Sequence, residues 1–493
     1  MQKYNNIYFL GIGGIGMSAL AHFFANTNYK VGGYDKTPSE ITAKLIKNDI
    51  FIHFEEDIND IPKVFLDSQN TLIVYTPAIP KDHKEFVFFQ ENGFTIFKRS
   101  QVLGMLTENH FTIAVAGTHG KTTTSAMVAH LLTHAQKNVM AFVGGIMNNY
   151  NTNILLADTS KPMVVVVEAD EYDRSFLTLS PDIAIVNSAD ADHLDIYGDG
   201  SAVTKSFEDF IQKIKENGKL FIKKNINLDI KNKEKIIIKE FSLGDLDKNN
   251  LNNSEQKNSQ LSDFFIENFH IKEGKFCFDI KTPTQLISGV EMRMAGFHNV
   301  LNALAACAAA EAIGISGEMI KNGLNTFTGV HRRFEYLVNQ QDNQQDNQKN
   351  NFRNTPIFID DYAHHPEEIK ALLMSVRALY PDKKITAIFQ PHLYSRTRDF
   401  VDGFAESLSL ADEVWLTDIY PARELPIEGV SSAIILDKMT ISNKFLYSTQ
   451  QILEKIAKLN TDILLTVGAG DIELLAKDIQ GVLLAQITAN KNS

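Results

Sequence analysis

Gly117-Thr118-His119-Gly120-Lys121-Thr122-Thr123-Thr124 lies between an apolar run, Phe111 to Ala116, and a helix-like stretch, Ala126 to Leu132. A glycine-rich turn between strand and helix aims backbone N–H groups and a helix N-terminus at one point, the geometry that cradles a phosphate. Lys121 can reach a β- or γ-phosphate, and Thr122 or Thr123 can place a hydroxyl on Mg²⁺. The loop is shorter than G-x-x-x-x-G-K-[ST], with Val115 where the first glycine would fall. Its strand–turn–helix setting still predicts that Gly117, Thr118, His119, Gly120, Lys121, Thr122 and Thr123 bind ATP.

Outward from this loop the chain reads as alternating strands and helices, the pattern of parallel α/β folds. Upstream, Ile7 to Leu10, Lys30 to Tyr34 and Thr71 to Thr76 read as strands, with Met17 to Ala25 and His83 to Asn92 as helices. Downstream, Val164 to Ala169 and Ile183 to Asn187 are apolar enough for strands buried on both faces. A third series follows Ala303 to Ala312, an alanine-rich helix, with strands near Ile357, Ile385, Val414 and Ile463 and a helix over Glu367 to Leu379. With 493 residues, several domains are expected. The boundaries predicted are 1–107, 108–329 and 330–493. Residues 225–260, rich in Lys, Asn and Asp, and 339–354, nearly all Gln, Asn and Asp, read as surface insertions.

Composition narrows the function classes. A net charge of −12 argues against a nucleic-acid surface. The two cysteines, Cys277 and Cys307, lie in apolar surroundings and read as buried thiols of a reducing cytosol, with no disulfide or metal site. The start has no basic segment followed by an apolar one, so no signal peptide is expected, and no apolar run is long enough to insert in a membrane.

Gly11-Ile12-Gly13-Gly14-Ile15-Gly16 fits G-x-G-x-x-G after a strand and before a helix, and Asp35 ends the next strand. A dinucleotide site is the first reading. The same turn serves any diphosphate, and a turn without ligand is also possible on this pattern. Because ATP has its own loop, this turn is expected to hold a different phosphorylated ligand. Glu168 closes a strand and opens the acidic run Glu168-Ala169-Asp170-Glu171, and Asp190-Ala191-Asp192-His193 follows the next strand. One acidic run alone is ordinarily a solvated face. Two at consecutive strand ends beside a phosphate loop favour Mg²⁺, with Thr122, Glu168 and His193 as candidate ligands.

Taken together, LGIGGIGMSALA (10–21), AGTHGKTTT (116–124), VEADEYDRSFL (167–177), DADHLDIY (190–197), FHNVLNALAA (297–306), HRRFEY (331–336), DDYAHHPEE (360–368), FQPHLYSRTRDF (389–400) and TVGAGDI (466–472) resemble the Mur ligases, ATP-dependent amide-forming enzymes of peptidoglycan precursor synthesis. The resemblance implies a three-domain α/β architecture: a Rossmann-like N-terminal domain, a central P-loop-type ATPase domain and a C-terminal Rossmann-like domain. It implies a cytoplasmic enzyme, monomer or weak homodimer, with ATP and Mg²⁺ as cofactors and UDP-N-acetylmuramate and L-alanine as substrates. Gly11, Gly13, Gly14 and Gly16 would hold the UDP diphosphate, with Asp35, Thr76, Pro77 and Ala78 toward the uridine. His298 and Asn302 would face ATP, Asn302 at the adenine edge. Arg333 would reach the γ-phosphate, and Asp361, Tyr362 and His364 would approach ribose, phosphate and substrate. His392 and Arg396 would serve the amino acid's carboxylate and the nascent amide. The catalytic set is then Lys121, His193, Arg333, His364, His392 and Arg396.

Leu393 stands where the resemblance leads one to expect arginine, which places amino-acid binding on Arg396 and Arg398. The neighbourhood of Lys205 and Phe207 is out of register for a carbamylated lysine, and none is expected. Three alternatives remain at this level. A recycling ligase joining a tripeptide to the same UDP-sugar is separated by an acceptor assay. A nicotinamide-dependent oxidoreductase leaves Lys121, Glu168 and His193 unexplained. A non-catalytic ATP-binding regulator would release no phosphate in response to substrate.

Overall fold

The apolar runs become the inner strands of three sheets in a computed structural model, which describes residues 3–190, 200–244, 246, 262–339, 356–422, 424–456 and 458–491. The chain divides into two units. The first comprises residues 1–269, 278–290 and 301–328; the second comprises 270–277, 291–300 and 329–493.

The first unit begins with a five-stranded parallel sheet in the order Phe51–His53, Lys30–Tyr34, Asn6–Leu10, Thr71–Tyr75, Thr95–Lys98. Ile7, Tyr8, Phe9 and Leu10 are fully buried, as a central strand covered on both faces requires. The chain leaves this central strand toward one edge and returns on its other side at Thr71. Open α/β sheets bind ligands at such a reversal, outside the strands' carboxyl ends.

A second sheet centres on Phe111–Ala116, flanked in parallel by Val164–Glu168 and Ile183–Val186. Val139–Met147 and the antiparallel Thr152–Leu155 complete one side. Lys219–Lys223 and Ile237–Ser242 extend the other, and three further strands between Phe264 and Met292 follow them. The Ile237–Ser242 strand corrects the expectation of a surface insertion over 225–260. It pairs in parallel with Lys219–Lys223. Its apolar residues sit among lysines and asparagines, so average composition conceals a segment in which Phe241 is fully buried. Residues 245 and 247–261, and 340–354 of the second expected insertion, lie outside the described residues.

In the second unit a six-stranded sheet runs Glu335–Val338, Ile357–Asp361, Ile463–Val467, Ile385–Phe389, Glu413–Leu416, Lys444–Leu446. Only the first of these strands is antiparallel to its neighbour. The long helix Ile472–Lys491 packs Ile472, Leu475, Ile479 and Leu483 onto one face of this sheet. Among the described residues no helix is long and apolar enough to cross a membrane. Cys277 and Cys307 are both free thiols and buried.

Candidate active site

Strand Phe111–Ala116 delivers the phosphate loop at its carboxyl end, and helix Lys121–His134 leaves from it. Gly117 and Gly120 have φ of +138° and +79°. Both need glycine for space as well as torsion. A Cβ on Gly117 would lie 3.0 Å from the Ser188 backbone N, and one on Gly120 would lie 2.5 Å from Asn302 Oδ1. No side chain caps the helix start at Gly120, which leaves its first N–H groups for an anion. Ser188 stiffens the loop: its Oγ accepts from Thr118 Oγ1 at 2.9 Å and from the His119 N–H at 2.8 Å. Beneath the loop, Asn187 Nδ2 donates to Thr124 Oγ1 (2.8 Å), which donates to Asn302 Oδ1 (3.0 Å). The structure thus puts the Asn302 carboxamide directly under the phosphate loop. Thr123 is buried in the helix's first turn.

Lys121 Nζ donates to the Gly117 carbonyl and to Glu171 Oε1, each at 2.8 Å. Burial works against its charge, but Glu171, Asp170 and Glu168 outweigh that and hold the ammonium above the ordinary lysine range. Glu171 was not singled out by sequence. The acidic run containing it was visible, but not which of its carboxylates turns inward to meet the lysine. Thr122 Oγ1 donates to Glu168 Oε1 at 2.9 Å, and Glu168 Oε2 accepts the Gly144 N–H at 2.7 Å. Hydroxyl and carboxylate oxygens side by side at a phosphate loop are hard donors that fit Mg²⁺, which takes one or two carboxylates, phosphate oxygens and water. His193, the third expected ligand, lies outside the described residues.

At the N-terminal turn, Gly11 has φ +85° and its N–H donates to the Tyr34 carbonyl at 2.8 Å. Asp35 binds the turn: its Oδ2 accepts the Gly13 N–H at 2.7 Å. Thr76 closes over Gly11, where an added Cβ would meet Thr76 Cγ2 at 2.6 Å. Pro77 and Ala78 are exposed just beyond it. Helix Ile15–Ala25 starts after Gly14 with no side-chain cap.

The second unit separates the paired arginines. Arg332, at φ +59°, is buried and donates through Nε to Asp360 Oδ2 at 2.8 Å and through Nη2 to the Gly468 carbonyl at 2.6 Å. Arg333 is half-buried, with its guanidinium carbon 5.6 Å from the Tyr362 ring centroid. Asp361 accepts the N–H groups of Phe334 (2.7 Å) and Ala363 (2.8 Å), and burial pushes its carboxyl up to about 6 against those donors and Arg333.

His364 is set by the start of helix Pro366–Leu379, where Glu368 Oε2 accepts the N–H groups of His364 (3.0 Å) and His365 (3.3 Å). The His364 and His392 rings meet edge-on with centroids 6.0 Å apart, and His392 stacks on Tyr420. Burial lowers both imidazoles, His392 to about 4 with His364 and Arg396 adding to the effect. Both are therefore neutral at pH 7. Arg398 instead pairs with its neighbour Asp399 on the surface. Leu393 holds φ +72°, a strained torsion for a branched side chain, at the turn that joins His392 to the helix carrying Arg396. His298 is exposed at the start of helix Phe297–Ala312.

Three family descriptions match the chain: "Mur ligase family, catalytic domain" over residues 6–111, "Mur ligase middle domain" over 115–310, and "Mur ligase, glutamate ligase domain" over 348–475. The UDP-N-acetylmuramate–L-alanine ligase of Flavobacterium johnsoniae is 45% identical over 483 residues, covering 98% of this chain and 99% of that one. That of Phocaeicola vulgatus is 46% identical over 479 residues, covering 97% and 98%. Among solved structures, the UDP-N-acetylmuramate-alanine ligase of Thermotoga maritima superposes with a TM-score of 0.76 at 28% identity, covering 97% of this chain and 99% of that one. A murein peptide ligase from Psychrobacter arcticus shares the fold, with a TM-score of 0.63 at 24% identity over 97% of this chain and 98% of that one.

Proposed function

The chain belongs to the Mur ligase family, and on that premise we propose that it joins L-alanine to the lactyl carboxylate of UDP-N-acetylmuramate, cleaving ATP to ADP and phosphate, in peptidoglycan precursor synthesis. The observation that carries the reading is the phosphate loop whose Lys121 ammonium pairs with the buried Glu171 and whose Thr122 meets Glu168. We place domain boundaries at 1–107, 108–329 and 330–493, and the enzyme in the cytoplasm as a monomer or weak homodimer.

The lactyl carboxylate is a poor electrophile. Transfer of the γ-phosphoryl group gives an acyl phosphate and ADP. The alanine amine then attacks the carbonyl carbon, and the tetrahedral intermediate expels phosphate. Lys121 and the open N–H groups at Gly120 bind the ATP phosphates and offset charge on the group in transfer. Arg333, free of any carboxylate ion pair among the described residues, supplies a second cation. Thr122 and Glu168, with His193 as a further ligand, would hold Mg²⁺, which would offset phosphate charge. Asn302 and His298 serve the nucleotide, and Asp361 serves its ribose or phosphate.

His364, neutral because it is buried, accepts the proton the amine must lose. His392 and Arg396 hold the amino acid's carboxylate. The glycine turn, with Asp35 and Thr76-Pro77-Ala78, binds the UDP portion. One assay tests the reading: phosphate release with UDP-N-acetylmuramate, ATP and Mg²⁺ across single amino acids and a tripeptide. Release with L-alanine supports it. Release with the tripeptide alone makes the chain a recycling ligase, and no substrate-dependent release overturns ligation altogether.

A further inference from the structure

The sequence places four glycines at the N-terminal turn but gives no cation to meet a diphosphate there. The fold supplies one from the far edge of the sheet. Arg99 opens helix Arg99–Glu108, immediately after the edge strand Thr95–Lys98. Its guanidinium lies against the first turn of helix Ile15–Ala25. A Cβ built on Gly16 would collide with Arg99 Nη1 and come within 3.1 Å of Cζ. A side chain at position 16 would have to displace the Arg99 guanidinium from this place.

Two further features point to an anion between them. A cation against a helix N-terminus is electrostatically adverse, since the dipole there is already positive. No acidic group among the described residues pairs with Arg99 to relieve this; the nearby Asp35 carboxylate is engaged by the Gly13 N–H at 2.7 Å and the Thr37 N–H at 3.1 Å. The helix start also has no side-chain cap, so its leading N–H groups and the guanidinium lie together at the carboxyl end of the sheet, where the strand order reverses.

The arginine is pre-placed as well. Thr178 Oγ1 donates to the carbonyl of Ser100 at 2.9 Å, and a Cβ on Gly104 would lie 2.6 Å from the Thr178 carbonyl oxygen. The helix carrying Arg99 is thus pinned next to the arginine and again one turn later. Ordering Arg99 before ligand arrives removes an entropic cost from binding.

We propose that Arg99 is a binding residue for the pyrophosphate of the nucleotide-sugar substrate, closing the glycine turn from the opposite edge of the first sheet and reading the second phosphate. The inference rests on the reading of that turn as the UDP-sugar site. A bidentate guanidinium suits two adjacent phosphates, so a nucleoside diphosphate should depend on Arg99 and a nucleoside monophosphate should not.

Calorimetric titration of the full chain with UDP-N-acetylmuramate, UDP and UMP tests this. R99A should weaken UDP-N-acetylmuramate and UDP about ten- to a hundredfold, the range of a charge-assisted hydrogen bond, with UMP and ATP affinities unchanged. R99K should recover part of the loss and guards against a fold defect in R99A. UDP binding by both variants within about threefold of the parent overturns the inference, as does an equal loss for UMP, which would make Arg99 a prop for the turn. If the parent chain itself binds neither UDP-N-acetylmuramate nor UDP, the reading of the turn is what fails.

Discussion

Removing the Arg332 guanidinium should destabilise the second unit in a way that depends on pH. Arg332 and Asp360 are 5% and 2% exposed, and their 2.8 Å contact is the main compensation for a carboxylate taken out of water. In Arg332→Met the aliphatic volume is largely kept, but Asp360 retains only the Thr466 hydroxyl at 2.6 Å, and the Gly468 carbonyl loses its donor. Breaking one partner of a buried pair costs about 3–5 kcal/mol, most of it the stranded charge. Burial already pushes the Asp360 carboxyl up, and the Arg332 guanidinium opposes that shift more strongly than any other group. Without Arg332 the folded-state pKa rises further above the unfolded value. The folded protein then binds more protons than the unfolded chain between those two pKa values, so stability falls as pH rises through this window. The deficit should therefore be larger at pH 8 than at pH 5. Urea unfolding of the full chain at several pH values measures it, and Arg332→Met/Asp360→Leu should recover most of the loss because no charge is left behind. A deficit under about 1 kcal/mol, or one of the same size at every pH, would refute the argument.

Lys121→Met should abolish ADP formation, with at least about a hundredfold loss in kcat as expected for a preorganised transition-state donor, read by a coupled ADP assay. Arg333→Ala should lower kcat about a hundredfold or more while leaving the KM for ATP within a few fold, a split that steady-state kinetics resolves. Glu168→Gln should raise the Mg²⁺ concentration needed for half-maximal phosphate release at least tenfold, because one carboxylate charge is lost from a site with few protein ligands. The acid limb of the kcat/KM profile should lie below the ordinary histidine range, since burial favours neutral His364; His364→Gln should remove that limb along with most of the rate.

The strand–turn–helix at Gly117–Gly120, the N-terminal glycine turn and most inner strands were legible because they depend on local pattern. A strand buried on both faces must be continuously apolar, and a left-handed turn against backbone must be glycine, so Val164–Glu168 and Gly117 announce themselves. Ile237–Ser242 was missed because its apolar residues are diluted among lysines and asparagines, and its burial depends on Lys219–Lys223 lying alongside. Glu171 was hidden among equivalent acids until the chain's path turned one of them onto Lys121. Arg332 and Arg333 differ in nothing a motif can express. Their guanidinium carbons lie 5.4 and 5.6 Å from the Tyr362 ring centroid, but only Arg332, at φ +59°, bonds Asp360 and the Gly468 carbonyl at the sheet end.

By itself, then, the sequence determined which chemistry was available: a loop for phosphate, a turn for diphosphate, carboxylates for a metal, and cations and histidines in a known order. Tertiary structure decided which member of each set meets which partner. Arg99 reaches Gly16 from 83 positions away in the chain, and Asn302 accepts from Thr124, 178 positions before it. Such pairings are long-range because they are set by strand order and by which face of a helix packs inward. Those depend on the whole sheet being assembled, and no local spacing encodes them.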